Sequence, residues 1–195
     1  MARTSHVKRS TSETQIEVTL NLDGTGVQDL QTPIPFLDHM LSQLARHGYF
    51  DLTVKAQGDT QIDSHHTVED VGIAVGQAFK EALGDKKGIR RFAEASVPLN
   101  EALAQCIIDI SGRAFFVFNL ELPKAKLGEF DVELVPEFFQ AFSANSGITL
   151  HFNSPYWNNL HHITEALFKS FARALDSACT LDSRSGEAPS TKGTL

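Results

Sequence analysis

Eight histidines occur among the 195 residues, and four of them stand as two adjacent pairs. His65-His66-Thr67-Val68-Glu69 and His161-His162-Ile163-Thr164-Glu165 both read HHxxE, 96 positions apart. On a helix, residues three and four apart share a face, so each Glu can sit beside its histidines. Adjacent imidazoles are turned about 100° around the axis, which is a poor grip on a single ion. If the motif binds metal, the simplest arrangement sends the two rings to different ions, with one carboxylate completing one set. Imidazole and carboxylate without thiolate suit Mn²⁺, Fe²⁺, Co²⁺ or Zn²⁺ without choosing among them. One HHxxE alone is more often a helix start with solvated polar residues than a metal site. Two copies at equivalent places favour ligation, because duplicated helix starts have no need to keep both His and Glu.

The similarity extends beyond the pairs. Val68, Val71, Val75, Ala78, Phe79 and Ala82 follow the first at helical spacing, and Ile163, Leu167, Phe171, Ala174, Leu175 and Ala178 follow the second. Both runs predict amphipathic helices of about five turns, the first stopping at Gly84. Upstream, His39 to Gly48 and Glu137 to Gly147 predict helices ending near glycine, each before an alternating strand, 51–55 and 148–152. Gln15 to Leu22 alternates before the Asp23-Gly24 turn signal, and Gln105 to Ile110 and Ala114 to Leu120 flank Ser111-Gly112-Arg113. The expected class is α+β, an internally duplicated β-β-α-β-α unit. The halves are read as 1–92 and 93–195, the second with a C-terminal tail. His39 and Glu137 take equivalent places, 26 and 24 residues before the pairs, and are further candidate ligands.

Composition narrows the class. A net charge of −7 argues against a nucleic-acid binder, which depends on Lys and Arg at phosphates. Purely apolar runs of about five residues do not span a bilayer, and the polar N-terminus lacks a signal-peptide core. Two cysteines 73 positions apart suggest neither a disulfide framework nor a zinc–thiolate site, and a cytoplasmic setting is the default.

At these residues the chain resembles the imidazoleglycerol-phosphate dehydratase family. The resemblance rests on Phe36-Leu-Asp-His-Met-Leu41, Asp63-Ser-His-His-Thr-Val-Glu-Asp70, Gly88-Ile-Arg-Arg-Phe92, His161-His-Ile-Thr-Glu-Ala166, Phe168-Lys-Ser-Phe-Ala-Arg-Ala-Leu175 and Pro189-Ser-Thr-Lys-Gly193. It implies a four-stranded sheet with helices in each half, and 24-subunit shells with active sites at subunit contacts. It also implies a lyase of histidine biosynthesis that dehydrates imidazole glycerol phosphate to imidazole acetol phosphate. Two Mn²⁺ ions per site would hold the substrate ring as an imidazolate. The implied ligands are His39, His65, His66, Glu69, His161, His162 and Glu165, with Glu137 where some members carry His. Glu13 is the implied proton carrier, counted with Glu69 and Glu165 among the catalytic carboxylates, and Gln43 an implied substrate contact. Arg91, Arg113, Lys169, Ser190 and Lys192 are implied at the phosphate, although composition alone would leave the tail disordered. Asn100 stands where the family usually has Asp. Two other readings fit the ligand motifs themselves: a two-metal hydrolase, and an assembly protein whose clusters only bridge subunits.

Overall fold

A computed structural model describes residues 2–184 and 186–193. The first half runs β1 (Thr4–Ser10), β2 (Thr14–Asn21), β3 (Gln28–Gln31), α1 (Pro35–Gly48), β4 (Asp51–Gly58) and α2 (His65–Leu83). The second runs β5 (Phe92–Leu99), β6 (Ala102–Asp109), β7 (Phe115–Asn119), a ribbon of β8 (Lys126–Leu127) and β9 (Phe130–Asp131), α3 (Leu134–Ser146), β10 (Thr149–Tyr156) and α4 (Leu160–Cys179). The α+β class and the duplication hold. The sheets have matching orders, β1-β2-β4-β3 and β5-β6-β10-β7. In each, the last pair is parallel and the others antiparallel.

Two details differ from the sequence expectation. Each half has an edge strand, β1 or β5, that apolar patterning does not announce. Only Val7 is buried in β1, and β5 alternates exposed with half-buried positions. An edge strand with one solvated face carries little of the periodicity that marks a strand. The Asp23-Gly24 signal also builds no hairpin, because β3 skips past β2 and pairs in parallel with β4.

The helices lie between the sheets. α2 packs on sheet one and against α3, while α4 packs on sheet two and against α1. Their facing stripes bury Phe50, Phe79, Phe138, Phe139, Phe142, Phe152, Phe168 and Phe171. Phe139 alone meets the rings of Phe152, Phe168 and Phe171 at 4.5, 4.6 and 5.2 Å. The α2–α3 approach depends on two glycines. A Cβ at Gly72 would lie 2.7 Å from the Phe138 carbonyl oxygen, and one at Gly76 equally close to that of Phe142. Alanine would gain about 1 kcal/mol per position in helix propensity, but overpacking against immobile backbone costs about 1–3 kcal/mol each. The double variant Gly72→Ala/Gly76→Ala is therefore expected to lose stability in urea unfolding, by about 2 kcal/mol net. An unchanged or raised midpoint would show that the helices separate freely.

Cys106 and Cys179 are free and buried. Burial, opposed by Arg3 and assisted by Asp176, pushes the Cys179 thiol up to about 12. No described helix is long and apolar enough to cross a membrane.

Candidate metal centre

Each HHxxE opens a helix. His65 and His66 start α2, where the Asp63 carboxylate accepts from His65 N–H at 2.8 Å. His161 and His162 lie in the first turn of α4, capped by Asn159, whose side chain accepts from His162 N–H at 3.1 Å. Asx caps of this kind satisfy amides that no carbonyl reaches. The paired rings stand nearly perpendicular, at 85° for His65–His66 and 82° for His161–His162. Adjacent histidines therefore do face different partners.

The first histidine of each pair turns to its own Glu. His161 Nε2 is 3.1 Å from Glu165 Oε2, and His39 Nε2, brought by α1, is also 3.1 Å from that oxygen. These three residues form one group with metal-ligand spacing. In α2, His65 Nε2 stands 4.0 Å from Glu69 Oε2, a looser copy of the same i, i+4 pair. Glu137 sits half-buried in the first turn of α3, which packs on α2 as α1 packs on α4, but it joins no such group among the described residues.

The second histidines turn elsewhere. His66 Nδ1 is 3.0 Å from Asp59 Oδ2 and 3.7 Å from Glu13 Oε2, and these three form the second group. The Asp59 hydrogen bond holds His66 above the ordinary imidazole range, against partial desolvation and with help from Glu13 and Asp63. His162 Nδ1 is 3.0 Å from Glu101 Oε2. Asp59 was not legible as a contact, since it lies in a loop outside any helical spacing. Glu101 stands in the β5–β6 turn beside Asn100, whose φ of 50° suits Asn as well as Asp.

Glu165 is the most strongly perturbed carboxylate of the set. Burial pushes it up, but the hydrogen bonds from Lys169 and His39 outweigh burial and hold it at about 2. Lys169 Nζ lies 2.5 Å from Glu165 Oε1, one turn along α4. Gln43 donates to the His39 carbonyl at 3.3 Å. A cavity of about 450 Å³ opens beside this group, walled by Phe36, Leu127 and Phe130 and reaching His39, His161 and Ser64. Phe36 packs edge-on to His161, with centroids 5.6 Å apart. The β8–β9 ribbon supplies that wall, and its two short strands carry no functional signature in sequence. The donor sets, imidazole nitrogen with carboxylate and no thiolate, fit a divalent ion such as Mn²⁺.

A separate cleft of about 710 Å³ is lined by Arg91, Phe92, Arg113, Ser190 and Lys192. The tail is tied there by Gly88 N–H to the Glu187 carbonyl at 3.0 Å and by Arg91 Nη1 to the Pro189 carbonyl at 2.8 Å. Arg91 has a left-handed φ of 72° and also binds Asp109 at 2.7 Å, so much of its donor capacity is spent on the protein. Arg113 projects exposed from the turn after β6. Lys169 and Gln43 do not join this cleft. They stand with His39 and Glu165. No hydrogen bond or ion pair among the described residues links the His39 group, the His66 group and the cationic cleft.

Residues 32–175 match the family model described as imidazoleglycerol-phosphate dehydratase. The chain is 57% identical over 195 residues to proteins of that name from Pelobacter propionicus and Geobacter sulfurreducens, covering all of the chain and all of each relative. It also superimposes on crystal structures of the dehydratases from Staphylococcus aureus and Pyrococcus furiosus, each with a TM-score of 0.83. The first is 38% identical and covers 91% of this chain and 99% of that one. The second, in complex with (S)-C348, is 32% identical and covers 97% of this chain and 100% of that one.

Proposed function

The chain belongs to the imidazoleglycerol-phosphate dehydratase family, and from that premise we propose that it removes water from imidazole glycerol phosphate, giving imidazole acetol phosphate in histidine biosynthesis, as a cytoplasmic enzyme with two Mn²⁺ ions per site. The observation that carries this reading is an HHxxE pair in the first turn of each of two duplicated helices, with His39, His161 and Glu165 brought together at the second. His39, His161 and Glu165 would hold one ion, and His65 and Glu69, with Glu137 on the facing helix, the other. Bound there, the ions would supply Lewis acidity to the substrate's imidazole ring.

The protein's own groups do the rest. The proton to be removed sits on the carbon beside the ring, which no carbonyl activates. Glu13, at the tip of the β1–β2 hairpin and half-exposed, is the carboxylate that takes it. Phe36 and Phe130 give a flat apolar wall suited to the ring. Arg91, Arg113, Ser190 and Lys192 receive the phosphate, with Arg91 chiefly pinning the tail that carries Ser190 and Lys192 over the cleft.

His66 and His162 turn away from the Glu of their own motif, towards Asp59 and Glu101, and the cationic cleft stands apart from both. This separation supports assembly into the 24-subunit shell, with sites completed at subunit contacts by residues of neighbouring copies. Residues 1–92 and 93–195 are then the two halves of one duplicated domain, each giving one helix-start ligand set.

The test is removal and return of metal. Protein stripped with a chelator is expected to lose dehydration, followed as ketone formation from imidazole glycerol phosphate, and to regain it with Mn²⁺. Hydrolysis of simple phosphate esters in place of dehydration would overturn the lyase reading.

A further inference from the structure

In both halves a carboxylate outside the HHxxE motif grips Nδ1 of the second histidine. Asp59 Oδ2 lies 3.0 Å from His66 Nδ1, and Glu101 Oε2 lies 3.0 Å from His162 Nδ1. A carboxylate accepts only from an N–H, so each contact places a proton on Nδ1, and in the neutral ring the Nε2 lone pair is then free. We propose that Asp59 and Glu101 are positioning residues for metal binding, which set the tautomer and aim of His66 and His162 so that each offers Nε2 to a cation. This rests on the metal-dependent reading above.

The two carboxylates do not come from equivalent places. Glu101 is in the β5–β6 turn, whose counterpart in the first half, the β1–β2 turn, carries Glu13. Glu13 stands off at 3.7 Å from His66 Nδ1, and Asp59, from the loop after β4, has the shorter contact. The halves therefore reach the same ring geometry by different routes, which duplication alone does not explain. The substitution of route in the first half leaves Glu13 free for the substrate, whereas Glu101 remains committed to its ring.

Each holder is itself placed. Glu101 Oε1 accepts from the Asn159 N–H at 2.8 Å, and Asn159 caps the helix that carries His162. The Asp59 side chain is 13% exposed, and its Oδ1 is buried without a partner among the described residues. An orphaned carboxylate oxygen works against folding. Asp59 meets that cost while its other oxygen holds His66 Nδ1, which points to a role in the site rather than in stability.

The test is Mn²⁺ titration of the chelator-stripped, full-length assembly, reading free Mn²⁺ by its paramagnetic resonance signal. Glu101→Ala and Asp59→Ala are expected to bind Mn²⁺ about 10–100-fold more weakly than the parent, with unchanged stoichiometry at saturation. Read at a pH above the imidazole range, where the His66–Asp59 pair no longer adds to stability, the thermal midpoint of the metal-free protein stays at the parent value. Glu101→Gln and Asp59→Asn, whose amide oxygen still accepts from Nδ1–H, lie between, and this rescue separates positioning from a fold defect in the alanine variants. Alanine variants that bind within twofold of the parent, or amide variants no better than alanine, overturn the proposal. A parent that takes up no Mn²⁺ overturns the metal reading and this one with it.

Discussion

Glu13→Gln is expected to lower kcat by about 10²–10⁴-fold, the range for loss of a positioned general base, with Mn²⁺ content and affinity unchanged. The substitution keeps size and removes the negative charge together with the ability to take a proton. The turn that presents Glu13 does not depend on its carboxylate. Thr11 Oγ1 accepts the amides of Glu13 and Thr14 at 3.1 and 3.0 Å, and Thr14 Oγ1 donates to Asp70, which is also bound by Arg9 at 2.9 Å. That buried cluster clamps the hairpin to α2. His66 keeps its shorter contact to Asp59, so its ring stays in place when Glu13 changes. If Glu13 served only as an ionic partner of His66, the variant would lose metal affinity and keep kcat. Steady-state kinetics with measured metal occupancy separate the two outcomes. A proton carrier predicts a fall in kcat with KM nearly constant.

The parts of this site that could be read from sequence were those with a local period or a repeated spelling. HHxxE was legible because both copies carry its residues at one spacing and both open long amphipathic helices. Alignment of the halves also placed His39, and the structure puts it 3.1 Å from Glu165, across 126 residues. The same alignment placed Glu137 correctly at the start of the facing helix but could not tell whether its side chain would reach His65 or Glu69. That depends on how closely α2 and α3 approach. Asp59 and Glu101 were harder still. Each meets its histidine through tertiary folding, from a loop and a turn whose spacing to the target follows no helix or strand period. The phosphate residues divide in the same way. Arg113 is announced by its turn, but the engagement of Arg91 with Asp109 and the Pro189 carbonyl appears only once the tail is seen crossing segment 88–92. Edge strands β1 and β5 lacked an apolar period because one of their faces meets water.

Glu165→Ala is expected to weaken Mn²⁺ binding by more than about 10²-fold, beyond the range for an outer-shell partner, and to abolish dehydration at Mn²⁺ levels that saturate the parent. Glu165 is the shared acceptor of His39 and His161, so its removal leaves two imidazoles with no anionic donor between them. It also leaves Lys169, now unpaired, beside a site meant for a cation. Acid should act through other groups. Because the folded carboxyl is held at about 2, below its ordinary value, its stabilising contribution is present above that ordinary value and is lost only as pH falls towards 2. His66 has the opposite sign. Its pKa is raised by Asp59, so the pair stabilises the metal-free fold below the ordinary imidazole range and that contribution fades as pH rises through the folded pKa. Metal ligation needs neutral rings, so acid favours the metal-free fold at His66 while it expels the ion. Mn²⁺ release from the parent is therefore expected between about pH 5 and 7, where imidazoles titrate, with the chain still folded. Metal analysis after gel filtration across that range, alongside circular dichroism, tests this order. Release delayed until the carboxylate range, or a Glu165→Ala protein with full metal and normal turnover, would place the binding determinant elsewhere than in the His39–His161–Glu165 set.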